Sequence, residues 1–182
     1  MGEQRSALLA GAAGSVLEIG GGTGANLPHY RNVEDVTIAE PDPYMRQRLR
    51  RKLGEERFPV EVTEAGAEAL PFWDDSFDGV VSTLVLCTVP DQGRALAEII
   101  RVLKPGGRLL FVEHVRGEGT NARVQDVILP VWRRVFAGCH PNRDTVGRMR
   151  DAGFEIRSLH HFEPPGPYGG LMPHVRGEAV AP

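Results

Sequence analysis

Apolar runs alternate with stretches of helical periodicity along this chain, and glycine or proline marks most of the boundaries between them. Val16-Leu17-Glu18-Ile19 is a short buried-strand pattern that runs into the cluster Gly20-Gly21-Gly22-Thr23-Gly24. Val36 to Ala39 predicts a second strand, closed by Glu40-Pro41-Asp42-Pro43. There Asp42 is a helix N-cap and Pro43 takes the first helical position of a basic helix through Lys52. Val60-Glu61-Val62 predicts a third strand. Asp78 to Leu86 is the most hydrophobic stretch and reads as a central parallel strand buried on both faces. From Asp91 to Leu103 the residues Leu96, Ile99, Ile100 and Leu103 share one helical face, and Lys104-Pro105-Gly106-Gly107 stops that helix.

Arg108 to Val115 predicts the next strand, followed by helices over 121–136 and 142–152. Phe154 to Phe162 and Val175 to Val180 predict two final strands around a Pro/Gly-rich stretch from Pro164 to Pro173. Strand–helix alternation with short turns implies an α/β fold with a doubly wound parallel sheet. No long crossover helix separates the last two strands, so an antiparallel hairpin at the sheet edge is expected. Residues 1–182 show no internal repeat or linker and read as a single domain.

Composition narrows the function classes. The 182 residues are 41% hydrophobic and 25% charged, enough to bury a core, with a net charge of −3. That balance argues against a nucleic-acid partner, whose phosphates call for a basic surface. Two cysteines, Cys87 and Cys139, are too few for a disulfide framework, so a reducing, cytoplasmic setting is expected. The run Ala7 to Ala13 leads straight into the first strand and lacks the layout of a signal peptide. No run of eighteen apolar residues is present to form a membrane-spanning segment, and a soluble protein is expected.

In an open α/β sheet the ligand lies beyond the carboxyl ends of the strands, at the point where the strand order reverses. Gly20, Gly22 and Gly24 stand there; without Cβ atoms they permit the turn into the next helix and let a ligand lie against bare backbone. Glu40 follows about twenty residues on, where a carboxylate can accept both hydroxyl protons of a ribose. Gly20, Gly22 and Ala25 also satisfy the dinucleotide spacing G-x-G-x-x-A, which leaves an NAD-dependent oxidoreductase as an alternative. Glu18, a carboxylate just before the glycines, tilts the choice: it repels a pyrophosphate and attracts a ligand carrying an ammonium and a sulfonium.

At these residues the chain resembles the class I S-adenosylmethionine-dependent methyltransferases of the methyltransferase type 11 kind. The segments that carry the resemblance are Val16 to Gly24, Glu40, Ala67-Glu68-Ala69-Leu70-Pro71-Phe72 with Ser76-Phe77-Asp78, and Leu103 to Leu109. It implies a Rossmann-like sheet of seven strands, mostly parallel with an antiparallel last strand. The cofactor half would span residues 14–115, and the acceptor-side helices and C-terminal hairpin 116–182. The resemblance also implies S-adenosylmethionine as cofactor, with Gly20, Gly22 and Gly24 along its methionine and ribose side. Glu18 would sit near the amino group, Glu40 on the ribose, Pro41 against the adenine, and Gly66, Ala67 and Glu68 at the adenine edge. Thr83 and Leu84 would lie under the sulfonium. Many relatives carry Asp where Gly66 stands, so the adenine amino group is expected to bond to backbone, Glu68 or water.

A narrower likeness concerns Thr83 to Val89, Val112-Glu113-His114-Val115, Gly138-Cys139 and the closing segment from Pro173 to Val180. These are similar to the alkyl thiol S-methyltransferases, whose mammalian members carry an N-terminal membrane anchor and longer lead-in absent from this sequence. The acceptor pocket is then expected to be open, completed by a partner chain as in a homodimer, or altered in specificity. The implied reaction moves a methyl group to a small, fairly apolar acceptor such as a thiol. A thiol ionises readily enough to need little base help, whereas a phenol needs a general base. His114, leaving the fifth strand at the ligand edge, is the candidate for that role. Cys87 reads as a packed core thiol. Cys139-His140 lies in a loop, and no paired ligand spacing points to a metal. A module that holds the cofactor without turnover is the non-enzymatic alternative.

Overall fold

The strand patterns assemble into one seven-stranded sheet in the computed structural model of the chain, which describes residues 1–164 and 169–182. The strands are β1 (Ala13–Ile19), β2 (Asn32–Ala39), β3 (Val60–Thr63), β4 (Phe77–Thr83), β5 (Leu103–His114), β6 (Glu155–Phe162) and β7 (His174–Val180). Their spatial order is β3-β2-β1-β4-β5-β7-β6. β1 to β5 pair in parallel, and β7 runs antiparallel to both β5 and β6. The expected terminal hairpin is present, with β7 inserted between β5 and the edge strand β6.

Among the described residues five helices cover the sheet: α1 (Gly2–Leu9), α2 (Pro43–Arg50), α3 (Gln92–Val102), α4 (Gly119–Val135) and α5 (Thr145–Asp151). Side chains alternate across the strands, as the two-residue period requires. Leu17, Ile19, Val80, Leu109 and Phe111 bury against α3 and α5 through Leu96, Ile99 and Met149. Val16, Ile38, Val81, Leu110 and Val112 bury on the opposite face with Leu8, Leu9 and Leu49 from α1 and α2. The Asp42 cap forms as expected, its Oδ1 accepting the N–H groups of Tyr44 and Met45 at 2.8 and 2.9 Å. Asp91 caps α3 in the same way, accepting from the Arg94 N–H at 3.0 Å. No helix among the described residues is long and apolar enough to cross a membrane.

Three local expectations need correction. The glycine turn leads into a single 3-10 turn, Leu27–His29, because residues 20–31 must return the chain to β2 and Pro28 sits inside that turn. The apolar N-terminal run does not flow directly into β1 but closes α1, whose Leu8 and Leu9 are buried. The central strand stops at Thr83, three residues earlier than its hydrophobicity suggested. Leu84 takes a left-handed backbone conformation (φ 61°), and the buried Glu113 carboxylate captures the N–H groups of Val85, Leu86 and Cys87. Residues 165–168 of the Pro/Gly-rich stretch lie outside the described residues.

Candidate active site

Because β1, β2, β4 and β5 are parallel, their carboxyl ends share one edge, and the order reverses between β1 and β4 there. Gly20 follows β1 with φ +57°, and a Cβ on it would fall 2.5 Å from Val85 Cγ2, so the turn after β1 and the turn after β4 are in direct contact. Gly22 is different. Its φ is +56°, but an added Cβ would meet nothing within 4 Å, which leaves open space above the backbone at that point.

Glu40 crosses to this turn from the end of β2. Its Oε2 accepts the Gly22 N–H at 2.7 Å and its Oε1 accepts the Asp42 N–H at 2.9 Å. Each carboxylate oxygen has about two acceptor sites, so one remains on each for a pair of hydroxyls. Pro41 next to it is exposed. Open space over Gly22 and a bidentate acceptor at its rim fit the ribose side of the nucleoside.

Glu18 lies below this turn, 2% exposed. Tyr30 Oη donates to its Oε2 at 2.7 Å, and Asn26 Nδ2 donates to its Oε1 at 3.1 Å and to Thr83 Oγ1 at 3.0 Å. Burial pushes the Glu18 carboxyl up to about 7, against the lowering pull of those two hydrogen bonds. The same burial raises Tyr30. Glu18 is therefore poised between neutral and charged near pH 7, and a cation brought close favours its ionised form. Asn26 and Tyr30 carried no motif of their own. Their role emerges only where the 3-10 turn folds back over β1.

Gly66, Ala67 and Glu68 follow β3 on the same edge; Ala67 is buried and Glu68 Oε1 accepts the Asp91 N–H at 3.3 Å. Thr83 closes β4, and Leu84 turns sharply after it. Glu113, on β5, is fully buried and accepts from Ser82 Oγ at 2.6 Å in addition to the three backbone donors. Desolvation raises its pKa while those donors lower it. A charged residue inside Leu109-Leu110-Phe111-Val112-Glu113 was the available signal for this buried clamp.

His114 ends β5, with its ring 4.2 Å from that of His174 on β7. Its Nδ1 lies 3.5 Å from Cys87 Sγ and 3.2 Å from Cys139 Sγ, and the two sulfurs are 3.8 Å apart. The core placement of Cys87 holds, since it is wholly buried. Sequence spacing did not unite these three residues, which come from the turn after β4, the end of β5 and the loop after α4. The hydrogen bond between the sulfurs, ahead of that to His114, draws the Cys139 thiol down, and the same contact pushes Cys87 up.

Comparison with known proteins gives the family. The family described as a methyltransferase domain matches residues 17–111. The thiol S-methyltransferase TMT1A of Homo sapiens is 39% identical over 171 residues, covering 91% of this chain and 70% of its own length. The ubiquinone/menaquinone biosynthesis C-methyltransferase UbiE of Marinomonas sp. (strain MWYL1) is 34% identical over 191 residues, 91% of this chain and 74% of that protein. Among solved structures, a SAM-dependent methyltransferase from Thermotoga maritima superposes with a TM-score of 0.73 at 25% identity, over 100% of this chain and 88% of that one. The nicotinamide alternative falls with these matches. The chain belongs to the S-adenosylmethionine-dependent methyltransferases, in the family that includes the thiol S-methyltransferases.

Proposed function

We propose that this enzyme methylates a small, fairly apolar thiol. The observation that carries the choice of acceptor is the match along 91% of the chain to a protein named for thiol methylation. The chemistry of the site supports it. When bound, S-adenosylmethionine supplies an electrophilic methyl group on a sulfonium. Gly22 offers it bare backbone, Gly20 and Gly24 shape that turn by packing on Val85 and on Leu27 and Leu49, Glu40 takes the ribose hydroxyls, and Glu18, held by Tyr30 and Asn26, meets the amino group. Pro41 flanks the adenine, whose edge runs along Gly66, Ala67 and Glu68, while Thr83 and Leu84 underlie the reacting centre.

Most of the acceleration in such a displacement comes from alignment at near contact with water excluded. A thiol with an ordinary pKa near 8.5 needs little help to ionise. His114 stands at the end of β5; its Nδ1 faces two cysteine sulfurs, which leaves Nε2 for an acceptor proton. The setting we infer is cytoplasmic, consistent with Cys87 and Cys139 being free thiols.

Incubation with donor labelled in the methyl group and a panel of alkyl thiols, phenols and amines tests this reading. Labelled thioethers are expected. Label on phenols or amines alone would overturn the thiol assignment, and tight donor binding with no transfer to any acceptor would point to a binding module.

A further inference from the structure

Three elements far apart in sequence bring Cys87, His114 and Cys139 together so that Sγ, Nδ1 and Sγ all lie within 4.8 Å of one another. Both thiols are buried and His114 is half-buried. The ligand loops are fixed from outside the cluster. Glu113 Oε2 accepts the Cys87 N–H at 3.1 Å, and the His140 N–H donates to the Cys87 carbonyl at 2.8 Å. Cys139 follows Ala137 and Gly138, both left-handed (φ 49° and 83°), and its N–H donates to Phe136 O at 2.9 Å. The left-handed Ala137 is the strained member of the pair; such backbone persists where the surroundings hold it, and it recurs at functional sites.

The triangle has the dimensions of one face of a tetrahedral metal site. With zinc–sulfur bonds of about 2.3 Å and zinc–nitrogen bonds of about 2.0–2.1 Å, tetrahedral angles put two sulfurs about 3.8 Å apart and each sulfur about 3.6 Å from the nitrogen. The spacings here are 3.8, 3.5 and 3.2 Å. A disulfide would need the sulfurs to close to about 2.05 Å. The imidazole nitrogen within reach of both sulfurs is the arrangement a shared cation calls for. Two thiolates and one imidazole are soft and borderline donors, which select zinc-class ions over calcium or magnesium.

We propose that Cys87, His114 and Cys139 bind one zinc-class ion and leave its fourth position open for the sulfur of the acceptor thiol. The second half rests on the thiol reading above. A bound zinc lowers the pKa of its fourth ligand, so the acceptor enters as thiolate and its proton leaves to solvent, as do those of Cys87 and Cys139 on metal uptake. His114 then serves as a ligand through Nδ1 in place of acting as a base. The acceptor sulfur's lone pair forms the new sulfur–carbon bond, and the old carbon–sulfur bond breaks with its electrons going to the sulfonium. The products are a neutral thioether, a weaker ligand that leaves, and S-adenosylhomocysteine. The cluster includes His114, the last residue of β5 and two positions beyond Val112, which pairs with Thr83, so it adjoins the end of β4 where the sulfonium is assigned.

Cobalt(II) titration of the reduced, chelator-treated chain reports on the site directly. One equivalent is expected to bind with thiolate-to-cobalt charge-transfer absorption and the visible bands of a tetrahedral ion. Cys139→Ser is expected to weaken binding at least about 100-fold, more than the loss of an outer-shell partner does. Retained S-adenosylhomocysteine binding by that variant shows that it has folded. Adding a small alkyl thiol should shift the visible bands. No charge-transfer band in the folded wild-type chain, or unchanged affinity in Cys139→Ser, overturns the metal site. Unshifted bands, or equal thiol methylation by metal-free and zinc-loaded protein, overturn the open position while leaving the thiol reading intact. A loaded protein that binds zinc but methylates no thiol overturns the thiol reading and leaves the ion in place.

Discussion

Glu40 and Gly22 are joined by a 2.7 Å hydrogen bond from the Gly22 N–H to Glu40 Oε2, which ties the end of β2 to the turn after β1. The second oxygen holds Asp42, so the carboxylate is oriented by the backbone on both sides. A group fixed in this way gives up little freedom on meeting a ribose. Replacing Glu40 with Ala is expected to weaken S-adenosylhomocysteine binding by roughly 1.5–3 kcal/mol, the range for hydrogen bonds to a charged group. Calorimetric titration measures it, and an unaltered dissociation constant would remove Glu40 from the ribose site.

Gly20 and Gly22 share a left-handed backbone but differ in what surrounds them. Gly20→Ala drives a methyl into Val85 and should lower stability by about 1–3 kcal/mol beyond the left-handed cost. Gly22→Ala carries only that conformational cost, about 1–2 kcal/mol. Its methyl projects into the space assigned to the nucleoside, so its larger effect should be on cofactor affinity. Thermal unfolding and calorimetry on the two variants separate these outcomes. Equal affinity loss in both would contradict the open cradle at Gly22.

Glu18 predicts a pH dependence. Its carboxyl is raised from 4.5 to about 7 by burial, with Tyr30, Asn26 and Arg5 lowering it and Glu40 raising it. The folded state therefore holds a proton that the unfolded chain releases. The stabilisation is fully present below pH 4.5, declines as pH climbs toward 7, and is gone above that, a change on the order of 3 kcal/mol. Binding runs the other way, since the donor's ammonium prefers ionised Glu18. Affinity for S-adenosylhomocysteine should rise with pH by up to about tenfold per unit below 7 and then level off. Glu18→Gln should flatten both profiles; a variant that keeps the wild-type slopes assigns them to another group.

Glu113 predicts a large loss of stability. Its side chain satisfies Ser82 Oγ and three backbone N–H groups after β4. Glu113→Ala orphans buried donors, each worth about 1–3 kcal/mol, and should cost at least about 3 kcal/mol in denaturant unfolding. A smaller loss would mean that water or a shifted turn replaces the carboxylate.

Much of the fold was legible because its signals are local. The Asp42-Pro43 start of α2, the stop after α3 and the apolar runs of β1, β2 and β5 depend on neighbours a few residues away. The glycine turn and Glu40 were legible for the same reason, as a spacing along the chain. Misplaced boundaries arose where a distant group intervened. Hydrophobicity carried the central strand to Leu86, but Glu113, from the adjacent strand, takes the backbone donors that would have extended it.

By itself, then, the sequence determined the alternating α/β order, the terminal hairpin, and the glycine turn after β1 with Glu40 about twenty residues on. The state of Glu18 and the meeting of Cys87, His114 and Cys139 were decided only in three dimensions. A buried carboxyl's charge depends on what excludes water from it, here Asn26 and Tyr30 folded over β1. Side chains separated by 25 residues or more become neighbours only through the register of β4, β5 and β7 and the path of the loop after α4. Periodicity records which face a residue turns inward; it carries no record of what waits there.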